Sequence, residues 1–235
     1  MVQKFPVIPT ISCLVAVCIL GSLGFWQIQR LEWKNNLQQS LDTAFSKEDP
    51  NALNKEDLSD LKRTQIIRGQ LKGRADFKNS IVHYGRIENG QSIVSIIVPA
   101  QSTISEKIIP VEVGCAHNID SLDDIKKIGL KEISVTGIIR EPRWSFATPP
   151  NTPNEGEWWR LDSKELSNYW EMGDVLPIIM TAENTDDLSS FLTPCPIEKT
   201  LRNSHLSYAI FWLIMAGVLS IMWGLRFLKP YLQSA

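Results

Sequence analysis

The chain has 235 residues, 43% of them hydrophobic, with 24 basic and 26 acidic side chains and a net charge of −2. Lysines and arginines are scattered along it rather than gathered into a stripe, which excludes the electrostatic footprint of a nucleic-acid binder. The length allows one soluble domain of ordinary size between any membrane segments.

Residues 5–29 carry no charged side chain, and neither do residues 206–225. A helix needs about 20 apolar residues to cross a hydrocarbon core of roughly 30 Å, so each run is long enough to span a membrane. Two spans would put both termini on one side and everything between them on the other. Pro6 and Pro9 stand in the opening turn of the first run, where a missing N–H costs least. That run outlasts the core of a signal peptide and ends in Gly24-Phe25-Trp26-Gln27 rather than a small-x-small cleavage site, so a retained anchor is expected. Trp26, Arg30, Trp33, Leu37 and Leu41 carry the helical pattern on to about residue 45. Only four residues precede the run, which leaves no room for a mitochondrial presequence and makes a bacterial inner membrane the expected home. Lys4, Arg226 and Lys229 on one side are balanced by Arg30, Lys34, Lys199 and Arg202 on the other. Charge therefore does not choose the orientation.

Residues 46–201 read as an extramembrane domain. Its first part, 47–62, is polar and poor in aromatics, a loop with one short helix. Strand patterns at 80–84 and 91–98 flank Asn89-Gly90, a strong hairpin signal. Further strands fit 64–71, 107–113, 132–140 and 176–181, and short helices fit 121–128 and 163–172 with Asp120 and Asp162 as caps. The fold class is therefore α+β: two transmembrane helices, an N- and C-terminal hairpin, bracketing an antiparallel, β-rich, barrel-like domain with a few short helices. Cys13 and Cys18 lie in the first apolar run as small hydrophobes. Cys115 and Cys195 lie in the domain outside any Cys-x-x-Cys pair, and free thiols, a disulfide and metal ligation are all open readings.

Residues 141–159 hold four prolines and three tryptophans. Trp144, Trp158 and Trp159 either close the end of the barrel or offer rigid contact area to a protein partner. No nucleophile elbow, phosphate loop, dinucleotide fingerprint or zinc-protease motif occurs, so a catalyst is not expected. His83 falls in a strand and reads as structural. His117, two residues after Cys115, makes a poorly supported ligand pair with it.

His205 has different company. It stands at the edge of the second apolar run (205–225), with Tyr208 and Trp212 on the same helix face, and ionisable groups near membrane depth tend to be functional. A porphyrin wants an axial imidazole, flat apolar walls and cations near its propionates. Arg202 lies one turn before His205, and Arg30 leaves the first span at the same membrane surface beside Trp26. Ala216, Ser220 and Gly224 form a small-residue seam at four-residue spacing, along which another helix could approach. Residues 226–235 are a short tail.

At these residues the sequence resembles a known family. Leu23-Gly24-Phe25-Trp26-Gln27-Ile28-Gln29-Arg30-Leu31-Glu32-Trp33-Lys34 and Asn203-Ser204-His205-Leu206-Ser207-Tyr208-Ala209-Ile210-Phe211-Trp212 are similar to the two terminal motifs of the Surfeit-locus-one family of cytochrome c oxidase assembly factors. Between them, 69–74, 135–140 and the 151–162 loop follow in family order. Val111-Glu112-Val113-Gly114-Cys115-Ala116 departs from the pattern, keeping the Gly of the family's Asn-Arg-Gly-Trp but losing its Arg and Trp. The resemblance implies a two-span protein of the bacterial inner membrane with its domain in the periplasm. It implies a non-catalytic role in maturing the largest oxidase subunit, with haem a received from haem a synthase and bound transiently. His205 would be the axial iron ligand and Tyr208 and Trp212 its aromatic neighbours. Spacing alone adds Arg30 or Arg202 as a propionate partner and Trp26 as a wall. The rival reading is a cofactor-free scaffold that steadies an oxidase assembly intermediate.

Overall fold

A computed structural model describes residues 5–46, 50, 52–59, 65–88, 90–116, 122–184 and 192–234. It divides into a helical unit (1–38 and 200–235) and a β-rich unit (39–199). Lys4, Asn89, His117 and Asp120, four positions singled out above, lie outside the described residues.

In the helical unit, α1 runs Val7–Phe45 and α5 runs His205–Trp223. A π-type turn over Gly224–Leu228 and α6, Lys229–Ser234, continue α5. Both helices are long and apolar enough to cross a membrane, and few of their side chains are buried within the protein. They run antiparallel: Cys13 Sγ reaches the Leu219 carbonyl at 3.9 Å, and a Cβ on Gly24 would lie 3.1 Å from Leu213. The close approach is made by Gly24 and the buried Ala209 (2% exposed). A Cβ on Gly224 would meet open space, and the Ser220 hydroxyl is turned back onto the Ala216 carbonyl at 2.8 Å.

The β-rich unit holds α2 (Lys55–Ser59), β1 (Ile67–Asp76), β2 (Ile81–Glu88), β3 (Gln91–Ser102), β4 (Ile108–Ala116), α3 (Leu122–Lys126), β5 (Leu130–Arg140), β6 (Glu157–Trp158), α4 (Ser163–Trp170) and β7 (Ile179–Ala182). Strand order is β1-β5-β7-β4-β3-β2-β6, and β3 also pairs back onto β1, closing a ring of five strands. Pairing is antiparallel except for β4 with β7 and β2 with β6. Counting only the ring strands, the circuit is first-second-third-fifth-fourth with the third and fifth parallel and a short helix between third and fourth. That is the connectivity of an OB-fold barrel, with β2 inserted between its first two strands.

Two glycines permit the closure. A Cβ on Gly73 would sit 2.3 Å from the Gln101 carbonyl oxygen where β1 meets β3, and one on Gly137 would sit 2.1 Å from the Thr181 oxygen where β5 meets β7. Alternate residues of β3 (Val94, Ile96, Val98, Ala100) pack inside the ring with Ile109, Val111 and Val113 of β4. Ile97, Ile108 and Ile179 face outward and are covered by Trp158, Leu161, Leu166 and Trp170. Because both faces are covered, β3 and β4 read as nearly continuous apolar runs. Asp162 caps α4, accepting from the Lys164 and Glu165 amides at 2.9 and 3.2 Å.

Candidate functional site

The first candidate lies in the helical unit, where a polar ladder joins α1 to the chain leading into α5. Gln38 Oε1 accepts from the Leu201 amide at 2.7 Å, and Asn203 Nδ2 donates to Asn35 Oδ1 at 3.0 Å. Lys34 Nζ donates to the Arg202 carbonyl. At the deepest rung His205 Nδ1 meets Gln27 Oε1 at 2.7 Å. Gln27, Lys34 and Gln38 fall within about 40° of one another around α1, so one stripe of that helix serves these rungs, with Asn35 to its side.

His205 is the first residue of α5 and half-buried, its amide 3.4 Å from Asn203 Oδ1. Its Nε2 has no partner among the described residues. Trp212, two turns on, is also half-buried and meets Phe211 edge-to-face at 5.3 Å. Tyr208 is 54% exposed. On α1 the Arg30 guanidinium is held between two indoles, 5.8 Å from the Trp26 ring centroid and 5.4 Å from that of Trp33, the geometry of a cation–π clip.

At about 100° per residue, Trp26, Arg30 and Trp33 sit to one side of the Gln27 contact line, and Tyr208 sits about 60° from His205. Because the helices are antiparallel, both displacements point to the same flank, opposite the one marked by Gly24 and Leu213. By these angles Tyr208, Trp26 and Arg30 fall to the same side of the helix pair as one another, with His205 and Trp212 close to the contact line. Arg202 is exposed and tied in through its backbone carbonyl. Chemically, the face offers one imidazole lone pair, aromatic surface and a fixed cation. No group of three or more His, Cys, Asp or Glu able to hold a metal ion occurs among the described residues, so any metal here would lean on that single ring.

The second candidate lies in the β-rich unit and centres on the 141–159 loop. Asn151 organises it: Oδ1 accepts from the amides of Trp159 (2.7 Å) and Arg160 (2.8 Å), while Nδ2 donates to the Arg160 carbonyl (2.9 Å) and Glu165 Oε2 (2.6 Å). The three tryptophans separate. Trp158 is 1% exposed in the outer core, so its surface is not available to a partner. Trp159 stacks on Tyr84 at 5.3 Å. Trp144 remains 42% exposed beside Phe146, which is 99% exposed at the tip of a turn closed by Ser145 and Thr148. Contact area of the kind expected from tryptophan is thus offered by Trp144 and Phe146, the latter not singled out by the sequence.

Under this loop lies a charge cluster that sequence reasoning missed. Arg86 donates from Nε and Nη2 to Glu112 at 2.8 and 2.6 Å, and from Nη1 to the Pro196 carbonyl at 3.1 Å. Thr181 adds a hydroxyl to Glu112 at 2.7 Å. Burial alone would raise the Glu112 pKa, but the charges of Arg86 and Arg140 and the hydrogen bonds of Arg86 and Thr181 hold it below the ordinary carboxylate value. His83, hydrogen-bonded to Ser95 at 3.2 Å, is pushed down to about 4, chiefly by burial and further by Arg86 and Arg140, against the pull of Glu112. The available signal was Glu112 itself, one acid in the apolar run Ile108-Ile109-Pro110-Val111-Glu112-Val113.

Cys115 and Cys195 form a disulfide, which resolves the open readings. It fastens residues 192–196 to β4, where the amide and carbonyl of Cys115 also pair with Thr193.

The model of the SURF1 family matches residues 14–217. A SURF1-like protein of Rickettsia felis is 26% identical over 216 residues, covering 89% of this chain and 92% of the relative. Surfeit locus protein 1 of Takifugu rubripes is 26% identical over 230 residues (88% and 92%), and that of Homo sapiens 25% identical over 235 residues (92% and 76%).

Proposed function

The chain belongs to the SURF1 family, and from that premise we propose that it is a membrane-anchored assembly factor for cytochrome c oxidase. It acts without catalysis, by holding haem a at the membrane boundary until the largest oxidase subunit takes it, with haem a synthase as the donor. The observation that carries this reading is the half-buried His205, hydrogen-bonded through Nδ1 to Gln27 and free at Nε2, beside Tyr208, Trp26 and the clipped Arg30. Haem a, when bound, supplies an iron that accepts one imidazole nitrogen, a flat apolar macrocycle and two propionates. The residues fit that group. His205 Nε2 would ligate the iron, Tyr208, Trp26 and Trp212 would flank the ring, and Arg30 would pair with a propionate. An open face with one axial ligand suits a carrier that must release what it holds.

The Cys115–Cys195 disulfide supports a domain on the oxidising side of the membrane, since such bonds persist in the periplasm and not in the cytosol. The home that fits is a bacterial inner membrane crossed by both helices, with the β-rich unit in the periplasm.

The exposed Trp144 and Phe146 favour a second reading, a cofactor-free scaffold that grips an oxidase intermediate. One experiment separates the two. The protein is purified from cells that make haem a, with and without His205→Ala, and visible spectra are recorded. A Soret band in the wild type that the variant loses is the carrier's result. No band in the wild type, with oxidase assembly still dependent on the protein, overturns the carrier in favour of the scaffold.

A further inference from the structure

Gln27 is an uncharged polar residue near the end of the charge-free run of α1, and its side chain is spent on one contact. Its Oε1 lies 2.7 Å from His205 Nδ1, across 178 residues of sequence. A carboxamide oxygen can only accept, so with Oε1 facing the ring this contact is a hydrogen bond in the tautomer that carries the proton on Nδ1. A neutral imidazole has one N–H, and the lone pair is therefore left on Nε2, the nitrogen without a partner among the described residues. The ring is fixed from its backbone as well. Residues 201–205 are fastened to α1 through Gln38, Asn35 and Lys34, so the imidazole cannot slide along the helix to find another acceptor.

We propose that Gln27 is the positioning residue of His205: it selects the tautomer that leaves Nε2 open to a metal, and it sets how strongly that nitrogen donates. The proposal rests on the haem-carrying reading above. The partner on the far nitrogen tunes a ligating imidazole. A carboxylate there draws on the Nδ1 proton and makes Nε2 a stronger donor, whereas an apolar neighbour leaves the ring free to turn and to hold its proton on either nitrogen. A neutral amide lies between these limits. It orients the ring without hardening the bond to iron, which is the compromise a transfer protein requires. Gln27 is therefore not interchangeable with Glu, although the two side chains have the same shape.

The test has two arms on the full-length protein in nanodiscs. In the first, haem-free protein with 15N-labelled histidine is studied by NMR, the His205 signals being identified by their loss in His205→Ala. The expected result is an Nδ1–H tautomer in the wild type that gives way to a mixture in Gln27→Leu. An Nε2–H tautomer in the wild type, or no change in Gln27→Leu, overturns the proposal. In the second, transfer of haem a to apomyoglobin is followed by visible spectroscopy. Release should slow by about tenfold in Gln27→Glu and quicken by about tenfold in Gln27→Leu. A purely structural Gln27 would give similar effects in both variants or none, and either pattern overturns the proposal. If the wild type takes up no haem at all, the carrier reading falls, and the tautomer measurement still decides what Gln27 does to His205.

Discussion

The two units of this protein each hold a histidine in a hydrogen bond, and they use it in opposite ways. His83 sits in the β-rich unit under the 141–159 loop, beside an arginine–glutamate pair whose hydrogen-bonding capacity is largely taken up. Burial, aided by Arg86 and Arg140, lowers its pKa to about 4 and keeps the ring neutral at ordinary pH. His205 sits at the start of α5 with one nitrogen tied and the other open. The lesson is that satisfaction, more than burial, separates a structural polar group from one able to bind. A cluster whose members answer one another is architecture, and an ordered ring with a free lone pair is a receptor.

The largest effect is expected at Glu112. Replacing it with Ala strands Arg86 and Arg140 without their buried counter-charge, and the barrel should lose about 3–5 kcal/mol. Thermal or urea unfolding of the purified protein reads this. The haem spectrum, if it belongs to the helical unit alone, should survive below the new midpoint. Loss of the Soret band at temperatures where the barrel is still folded would mean that the two regions are not separable.

A smaller effect is expected from His83. Its folded pKa of about 4 lies below the ordinary value of 6.5, so the unfolded chain binds the extra proton first. The stability that goes with the neutral ring is fully present above pH 6.5 and is lost as pH falls towards 4, a change of roughly 3 kcal/mol. The depressed Glu112 carboxyl acts with the same sign at lower pH, lending stability above its unfolded value that disappears as it protonates. His83→Gln should flatten the stability profile between pH 6.5 and 4 while leaving the acid limb. An unchanged profile in that variant would remove His83 from the structural side of the comparison.

The smallest effect belongs to the exposed loop tip. Trp144→Ala and Phe146→Ala should each shift stability by no more than about 0.5 kcal/mol, because neither ring is part of a core. Co-purification with the oxidase subunit should weaken if this tip is the contact. A large fall in unfolding midpoint would show instead that these rings are packing elements like Trp158.

Much of this was legible from residue order. The charge-free ends give the two long helices because length and polarity are local properties. The apolar runs and the turn at Gly90 give β2, β3 and β4, and Asp162 announces α4 because a cap acts within three residues. Tryptophan composition was a poorer guide. It drew attention to Trp158 and Trp159, which burial and stacking consume, and passed over Phe146. The small-residue spacing of Ala216, Ser220 and Gly224 marks a face of a helix but does not by itself say which neighbour meets it.

What the amino-acid order determined by itself is therefore everything that repeats within a turn or a pleat: spans, strands, caps and the identity of His205 as an outlier. What only the tertiary structure decided is which distant groups meet. The joining of β3 to β1, the gathering of Arg86, Glu112 and Arg140, the Cys115–Cys195 bond and the pairing of Gln27 with His205 all link residues far apart in sequence. Such meetings depend on ring closure and on the antiparallel register of two helices. Neither leaves a periodic trace along the chain.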